Sequence, residues 1–590
     1  MKALLLTVAL LLGCVTVSSQ DKDTGIITVS TNDLSMVFSI SPDKKVVYNY
    51  FGDKFQDVSP FLHKKYKEQP DNGIGYAPVI YPAYGGRFFL NPALKLTHDD
   101  GVQTTEVIYA AHQVKNIDNN RIETVIQLKD PLYPVFVNLN FTAYQKENVI
   151  CQSVSISHQE KNKLAVENIA SAYLPLHADS YYLTHFHGAW ASEMQLVEEQ
   201  LTPGVKRVES KKGIRTTQSE NSSFLLSLNG PANEDMGEVY AGSLAWSGNY
   251  LSSFEIDECG LLHVMSGMND FASTYNLEPG KTLQTPEMVW TYSSTGKGQV
   301  SRNLHDWSRN YALAHGDQEL PIVLNSWEGA YFDFNEKTIT DMIDDAAAFG
   351  VEMFVLDDGW FGNKYPRNSD KVSLGDWQVN EKKLPRGIQH LIDHATSKGL
   401  KFGIWIEPEM VNPKSELAER HPEWIVQSPG REQITMRNQL LLDLTNPDVQ
   451  EFVWNVVDKL LSAYPDIYYI KWDANRHVEQ VGSPHLSSGE QMHFWVDYIR
   501  GLYRVYDRIR AKYPNVMLQA CASGGGRVDY GALPYHDEFW TSDNTDALQR
   551  IYMQYATNLI YPPVATASHV SASPGHQTGS ITPLKFRFDV

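Results

Sequence analysis

The chain carries four cysteines in 590 residues, and only Cys151, Cys259 and Cys521 remain if the first residues are a cleaved leader. Three thiols so sparse and far apart do not form a disulfide framework, although one bridge between two of them stays open. No Cys or His pair has the spacing of a zinc site, and His390, His394, His477, His493 and His569 follow no ligand pattern, so no metal is implied. Basic charge is also short. Lys and Arg number 50 against 70 Asp and Glu, a formal charge of -20, which argues against nucleic acid or an anionic membrane as partner. Beyond the N-terminus no apolar run is long enough to cross a bilayer. The glycine run at Cys521–Gly526 lacks the lysine and hydroxyl residue that close a phosphate-binding loop, and no other feature calls for a cofactor.

Several positive signals remain. Met1-Lys2, an apolar run from Ala3 to Val15 and small residues at Val17 and Ser19 describe a secretory signal peptide over 1–19. Export to the periplasm or the exterior is expected. Leu11-Leu12-Gly13-Cys14 leaves lipid attachment at Cys14 open as the alternative. Asn140-Phe141-Thr142 and Asn221-Ser222-Ser223 match glycosylation sequons. Thirteen tryptophans and 31 tyrosines provide flat apolar faces that suit sugar rings as well as cores.

From Gly25 to Gln318 the pattern is short alternating segments with β-branched residues and turns, as in Ile26–Val29, Thr104–Tyr109 and Val135–Phe141. An antiparallel β-sandwich over 20–318 is expected, with a helix only around Gln299–Ala314. At Leu320-Pro321 the texture changes. Short apolar runs at Ile322, Met353, Phe402, Ile467, Val516, Phe539 and Pro563–Ala565 now alternate with amphipathic stretches at Glu336–Phe349, Gly387–Lys398, Asp448–Tyr464 and Phe494–Lys512. This reads as parallel βα units, and residues 319–590 as a (β/α)8 TIM barrel; a doubly wound sheet is the alternative. Seven strands are counted before Val590, so the eighth strand is expected to be missing and the open edge to weaken the domain.

Chemistry concentrates where buried strands end in charge. Ile467–Ile470 runs into Lys471, Trp472 and Asp473, and Phe539-Trp540 runs into Asp543. Two aspartates at strand ends are the parts needed for glycosidic-bond cleavage, one attacking and one protonating the leaving group. Lys471, two residues before Asp473 on the same face, favours the anion that a nucleophile requires. The acid must keep its proton, which takes burial or a neighbouring carboxylate such as Asp473. Asp543 also sits in a capping sequence, and Asp546 reads as the cap itself. Asp357-Asp358 ends a third strand, and a catalytic role for one of the pair stays open. Trp327, Trp360 and Trp405 are candidate walls of a sugar pocket or else core residues. Arg437 is a sugar-hydroxyl donor or an exposed surface arginine.

The ordered series Asn325–Glu328, Leu356–Gly362, Gly375–Trp377, Trp405–Val411, Arg437–Gln439, Lys471–Asp473, Cys521–Arg527 and Trp540–Asp546 resembles the bacterial-type α-galactosidases of glycoside hydrolase family 36 from Asn325 to Val590. The N-terminal half matches less tightly, mainly at Asn91–Leu94. The resemblance implies a retaining, exo-acting α-galactosidase with Asp473 as nucleophile and Asp543 as acid/base, acting on oligosaccharides or galactomannan. It places Asp357 and Asp358 on the galactose O4 and O6 hydroxyls, and Lys471, Arg437, Trp327 and Trp405 around the sugar. Cys521 and Gly524 fall beside O2, which favours galactose over N-acetylgalactosamine. Glu407 and Glu409 read as structural supports. The family also carries an eighth barrel strand and a C-terminal β domain, and many members are tetramers. Arg87, a position that resemblance raises for contact with a neighbouring subunit, is given no role because its surroundings depart from the pattern. α-N-Acetylgalactosaminidase and transglycosylase remain alternatives within the family. A glycan-binding surface protein or an inactive fragment is the alternative outside enzymes.

Overall fold

The structure is a computed structural model describing residues 25–63, 78–86 and 88–590. The expected leader with Cys14, and Arg87, lie outside the described residues.

The first half is antiparallel sheet throughout. A ten-stranded sheet runs from Ser192–Gln200 at one edge, through Tyr181–Ala189, Glu220–Leu228 and Met288–Ser293, to Ile108–Asn116 at the other. A six-stranded sheet is built around Tyr250–Ile256, Leu261–Met268 and Leu164–His177. The two pack face to face: Phe224 of the larger sheet and Phe254 of the smaller stand edge-on with ring centroids 4.8 Å apart, both fully buried. The strand expected at Thr104–Tyr109 starts only at Ile108, because Thr105 is buried off the sheet, with its hydroxyl against the His98 ring. The helix expected at Gln299–Ala314 is α-helical over Lys297–Trp307 and widens to a π turn at Ser308–Ala312. Asn221, in the second sequon, is fully buried with its amide on the Val528 carbonyl, so that side chain is closed to a glycan in the folded chain. Cys151, Cys259 and Cys521 are all free thiols.

The second half is a parallel sheet of seven strands: β1 (Val323–Asn325), β2 (Met353–Leu356), β3 (Lys401–Ile406), β4 (Ile467–Trp472), β5 (Met517–Ala520), β6 (Glu538–Trp540) and β7 (Thr566–Ala567), hydrogen-bonded in that order. Among the described residues β1 and β7 are not paired with each other. The seven strands counted in the sequence form a curled sheet with two edges, the incomplete barrel expected from that count. The last strand begins at Thr566, three residues later than expected. Pro563–Ala565 is a 3-10 turn, because a proline there fixes φ and has no N–H for the ladder.

Period-two alternation divides the strands between two cores. Phe354, Leu356, Ile470, Trp472 and Leu518 join the large cluster under the helices, while Met353, Val355, Tyr469 and Met517 form a small one on the opposite face. Lys471 shares the face of Tyr469 and so ends the inner side of β4. Helices Glu336–Ala348, Gly387–Ser397, Pro447–Ala463, Phe494–Lys512 and Ala547–Asn558 cover the outside. The first is fixed by a capping box in which Asn335 and Thr338 bond each other's backbone N–H.

One connection departs from the βα rule. Between β5 and β6 there is no α-helix, only the loop 521–537 with a 3-10 turn at Leu533–Tyr535. The N-terminal half docks here: Thr217 Oγ1 donates to the Gly525 carbonyl at 2.9 Å and accepts from the Val528 N–H at 2.8 Å. A second apolar cluster seals the junction, joining Val149, Phe186 and Leu225 of the ten-stranded sheet to Tyr530, Phe539 and Ile560.

Candidate active site

The carboxyl ends of β2 to β6 open on one side, and the charged residues expected to act gather there. Asp473 follows β4 and is 7% exposed. Four N–H groups converge on it. Oδ2 accepts from Asn475 Nδ2 at 2.6 Å and Trp405 Nε1 at 3.2 Å; Oδ1 accepts from the backbone N–H of Ala474 at 2.9 Å and of Ser523 at 3.4 Å. Burial pushes this carboxyl up, but the Lys471 and Arg437 charges and the Asn475 and Cys521 bonds outweigh it and hold the group below the ordinary aspartate value. Asp473 is ionised at neutral pH.

Lys471 pairs not with Asp473 but with Asp357, its Nζ donating to Oδ2 at 2.8 Å beside the Asn325 amide at 2.7 Å. Although burial opposes its charge, Asp357 above all, with Asp473, drives the ammonium well above its usual value. Asp358 is clamped by both arms of Arg367, at 3.0 and 2.8 Å. Burial nonetheless raises its carboxyl. Each Asp358 oxygen thus has one lone pair committed to the protein and one remaining.

Arg437 is exposed, as one reading of its sequence context had it. It is also part of the site: NH1 donates to Ser523 Oγ at 3.2 Å, Ser523 Oγ donates to Asn475 Oδ1 at 2.6 Å, and Asn475 holds Asp473. Desolvation works against its charge, yet Glu407, Asp473, Asp543 and Asp358 together raise it. Arg437, Asn438 and Ser523 adopt left-handed φ of 52°, 59° and 49°. Two of these, Arg437 and Ser523, connect to the Asp473 carboxylate, which marks backbone strain of the kind stored at functional sites.

Asp543 follows β6 and is half-buried. Its Oδ1 accepts from Trp540 Nε1 at 3.2 Å and its Oδ2 from Trp190 Nε1 at 2.9 Å. The loop from Cys521 to Gly526 connects the two aspartates, since its Ser523 N–H reaches Asp473 and its Gly524 lies on the Asp543 backbone. A Cβ on Gly524, at φ +83°, would sit 2.7 Å from the Asp543 nitrogen and 2.8 Å from Glu193 Oε1. The close approach that requires glycine here is to the Asp543 backbone and the Glu193 carboxyl. Cys521 is 4% exposed, and burial, followed by the Asp473 charge, pushes its thiol far up, so it stays protonated and unreactive.

Trp405 is a buried donor to Asp473, and Trp327 is half-buried at the start of the Trp327–Ala330 turn. Trp360 is not a wall. At 1% exposure its indole donates to the Trp405 carbonyl at 3.0 Å, behind the site. Glu407 and Glu409 are both fully buried. Glu409 takes Arg527 at 2.7 and 3.0 Å, Trp472 Nε1 at 2.8 Å and the Tyr498 hydroxyl at 3.0 Å. Glu407 accepts from the Asn475 N–H at 2.6 Å and Gln439 Nε2 at 2.9 Å, and burial, reinforced by the Asp473 charge, pushes it up to about 8. Asp546 caps the helix Ala547–Asn558, accepting from the Gln549 N–H at 3.0 Å.

The chain matches two family models, Melibiase over residues 282–590 and the glycosyl hydrolase family 36 N-terminal domain over residues 44–278. The chain belongs to the α-galactosidases of glycoside hydrolase family 36. α-Galactosidase AgaA of Geobacillus stearothermophilus is 37% identical over 580 residues, 94% of this chain and 79% of that protein. α-Galactosidase Mel36A of Lactobacillus acidophilus is 34% identical over 86% of this chain and 71% of its own length. Crystal structures of AgaA superpose with TM-scores of 0.90 alone and 0.91 for a variant in complex with raffinose, each at 36% identity over 95% of this chain and 81% of the other.

In this family 36 glycoside hydrolase, sequence reasoning missed the contribution of the N-terminal half. Arg215 NH1 donates to the Asn475 carbonyl at 3.2 Å, and Gln218 Nε2 to the Ser523 carbonyl at 3.0 Å. Glu193, fully buried, accepts from Ser542 Oγ and is pushed up to about 7, by burial first and also by Asp543. None of these follows a strand end or forms a spaced motif. The one local signal is an acidic residue beside an exposed tryptophan in the turn Gly188–Glu193.

Proposed function

We propose that the chain is an exo-acting, retaining α-galactosidase in which Asp473 attacks the anomeric carbon and Asp543 serves first as acid and then as base. The observation that carries this reading is the convergence of Lys471, Arg437 and four N–H donors on Asp473, which keeps a 7%-exposed carboxylate ionised and fixed. Asp543 protonates the departing oxygen as the Asp473 ester forms. It then takes a proton from the water that cleaves the ester. Asp357, oriented by Lys471 and Asn325, is positioned to accept from sugar hydroxyls, and such charge-assisted bonds tell the axial O4 of galactose from the equatorial O4 of glucose. Substrates are terminal α-galactosides of the raffinose type, the sugar bound by one of the similar AgaA structures.

Asp473→Ala is expected to lose about 10⁴-fold in activity on any α-galactoside. Asp543→Ala, given dinitrophenyl α-galactoside, is expected to accumulate a galactosyl ester on Asp473 that intact-mass spectrometry detects. Galactose released by the parent enzyme, followed by NMR, should emerge as the α anomer. A β anomer as first product rules out retention, and cleavage of nitrophenyl α-N-acetylgalactosaminide alone rules out the substrate.

A further inference from the structure

The turn between Tyr181–Ala189 and Ser192–Gln200 belongs to the N-terminal sheet, yet its tip lies on the acid/base. Trp190 donates to Asp543 Oδ2 across 353 positions of sequence, and it is 57% exposed, so core packing does not dictate the contact. The tip is held at its base. Ala191, at φ 62°, donates its N–H to Glu193 Oε1 at 3.3 Å and accepts at its carbonyl from Asn544 Nδ2 at 3.0 Å. Glu193 takes the hydroxyl of Ser542 and the amide of Gln218. The residues on either side of Asp543 therefore grip the turn that carries Trp190.

We propose that Trp190 is a positioning residue for Asp543, its indole N–H selecting the carboxyl oxygen that delivers the proton. This rests on the acid/base reading given above. Both oxygens of Asp543 accept from an indole N–H, which only donates, so the proton is favoured on the oxygen held less tightly. The bond to Oδ2, at 2.9 Å, is shorter than the 3.2 Å bond from Trp540 to Oδ1, which leaves Oδ1 as the site of the proton. In the first step the Oδ1–H bond breaks and the proton passes to the glycosidic oxygen. The C1–O bond breaks with its electron pair going to that oxygen, and a bond forms from Asp473 to C1. Without Trp190 only the 3.2 Å bond from Trp540 orients the carboxyl, so the proton is no longer confined to Oδ1, and protonation suffers while nucleophilic attack does not.

The test uses the full chain and kcat/KM on two substrates, raffinose, whose sugar leaving group needs a proton, and dinitrophenyl α-galactoside, whose leaving group does not. Trp190→Phe keeps an aromatic ring and removes the N–H. It is expected to lose about tenfold or more on raffinose and to stay within about twofold on the dinitrophenyl substrate. Asp543→Ala should show the same selectivity at greater depth. Equal loss on both substrates, or none, for Trp190→Phe beside a selective Asp543→Ala overturns the role of Trp190 alone. An unselective Asp543→Ala overturns both the acid/base reading and this proposal.

Discussion

Asp473 and Glu407 share Asn475 yet face opposite protonation demands, and the difference lies in their partners. At Asp473 the Lys471 and Arg437 charges win over burial; at Glu407, which is fully enclosed and hydrogen-bonded only to neutral donors, burial and the Asp473 charge win over Arg437 and Arg367. Buried Gln439 Oε1 has no partner among the described residues, and turning that amide over lets its oxygen accept the proton that Glu407 retains. Glu407 stays protonated in the fold while in the unfolded chain it ionises above the ordinary glutamate value of 4.5, so unfolding releases a proton and stability falls as pH rises from there to about 8. The slope for one such group is about 1.4 kcal/mol per pH unit. Glu407→Gln removes it, so the melting temperature of the variant should gain steadily on the parent between pH 5 and pH 8 in a thermal scan. A constant offset across that range means that Glu407 is ionised. Asp473 was legible in the sequence because an apolar run stops on it. The proton held by Glu407 was not, since it depends on residues brought together by three separate loops.

Elements show the same division. The helices over Glu336–Ala348 and Phe494–Lys512 were readable because apolar positions recur at helical spacing, and β2 because Met353–Leu356 is an unbroken apolar run. β7 was misplaced, since two paired residues carry no period and the prolines before it belong to a turn. The loop between β5 and β6 was unreadable as a docking surface, because its glycines are explained only by the backbone lying against them. The helix after Asp543 depends on its cap. Asp546 accepts from the Gln549 N–H and also from Thr578 Oγ1 at 3.0 Å, tying 571–580 to the helix start. Asp546→Ala is expected to cost about 1–2 kcal/mol in denaturant unfolding, and Asp546→Asn, which keeps a capping oxygen, less than half of that. Equal losses would show that the charge, rather than the cap, fixes this element.

At the scale of the whole molecule, the antiparallel first half and the parallel second half share their packing. One apolar cluster draws Val149, Phe186 and Leu225 from the first half and Tyr530, Phe539 and Ile560 from the second. Around it the polar contacts are buried and mutual: Thr217 satisfies the loop 521–537, Ser247 Oγ donates to Asp529 Oδ1 at 2.9 Å, and Asn221 holds the Val528 carbonyl. A catalytic half separated from this surface would expose unsatisfied backbone as well as apolar area, so neither half has a stable state in which the other is unfolded. Large two-domain chains often melt in steps. Here calorimetry should record one endotherm covering both halves. Asn221→Ala, which strips two interdomain bonds, one to the Val528 carbonyl and one from the Tyr561 hydroxyl, should lower that single midpoint by an amount equivalent to about 1–3 kcal/mol. Two resolved endotherms, with the substitution moving only one, would show that the halves unfold independently and that the N-terminal half merely abuts the site it helps to build.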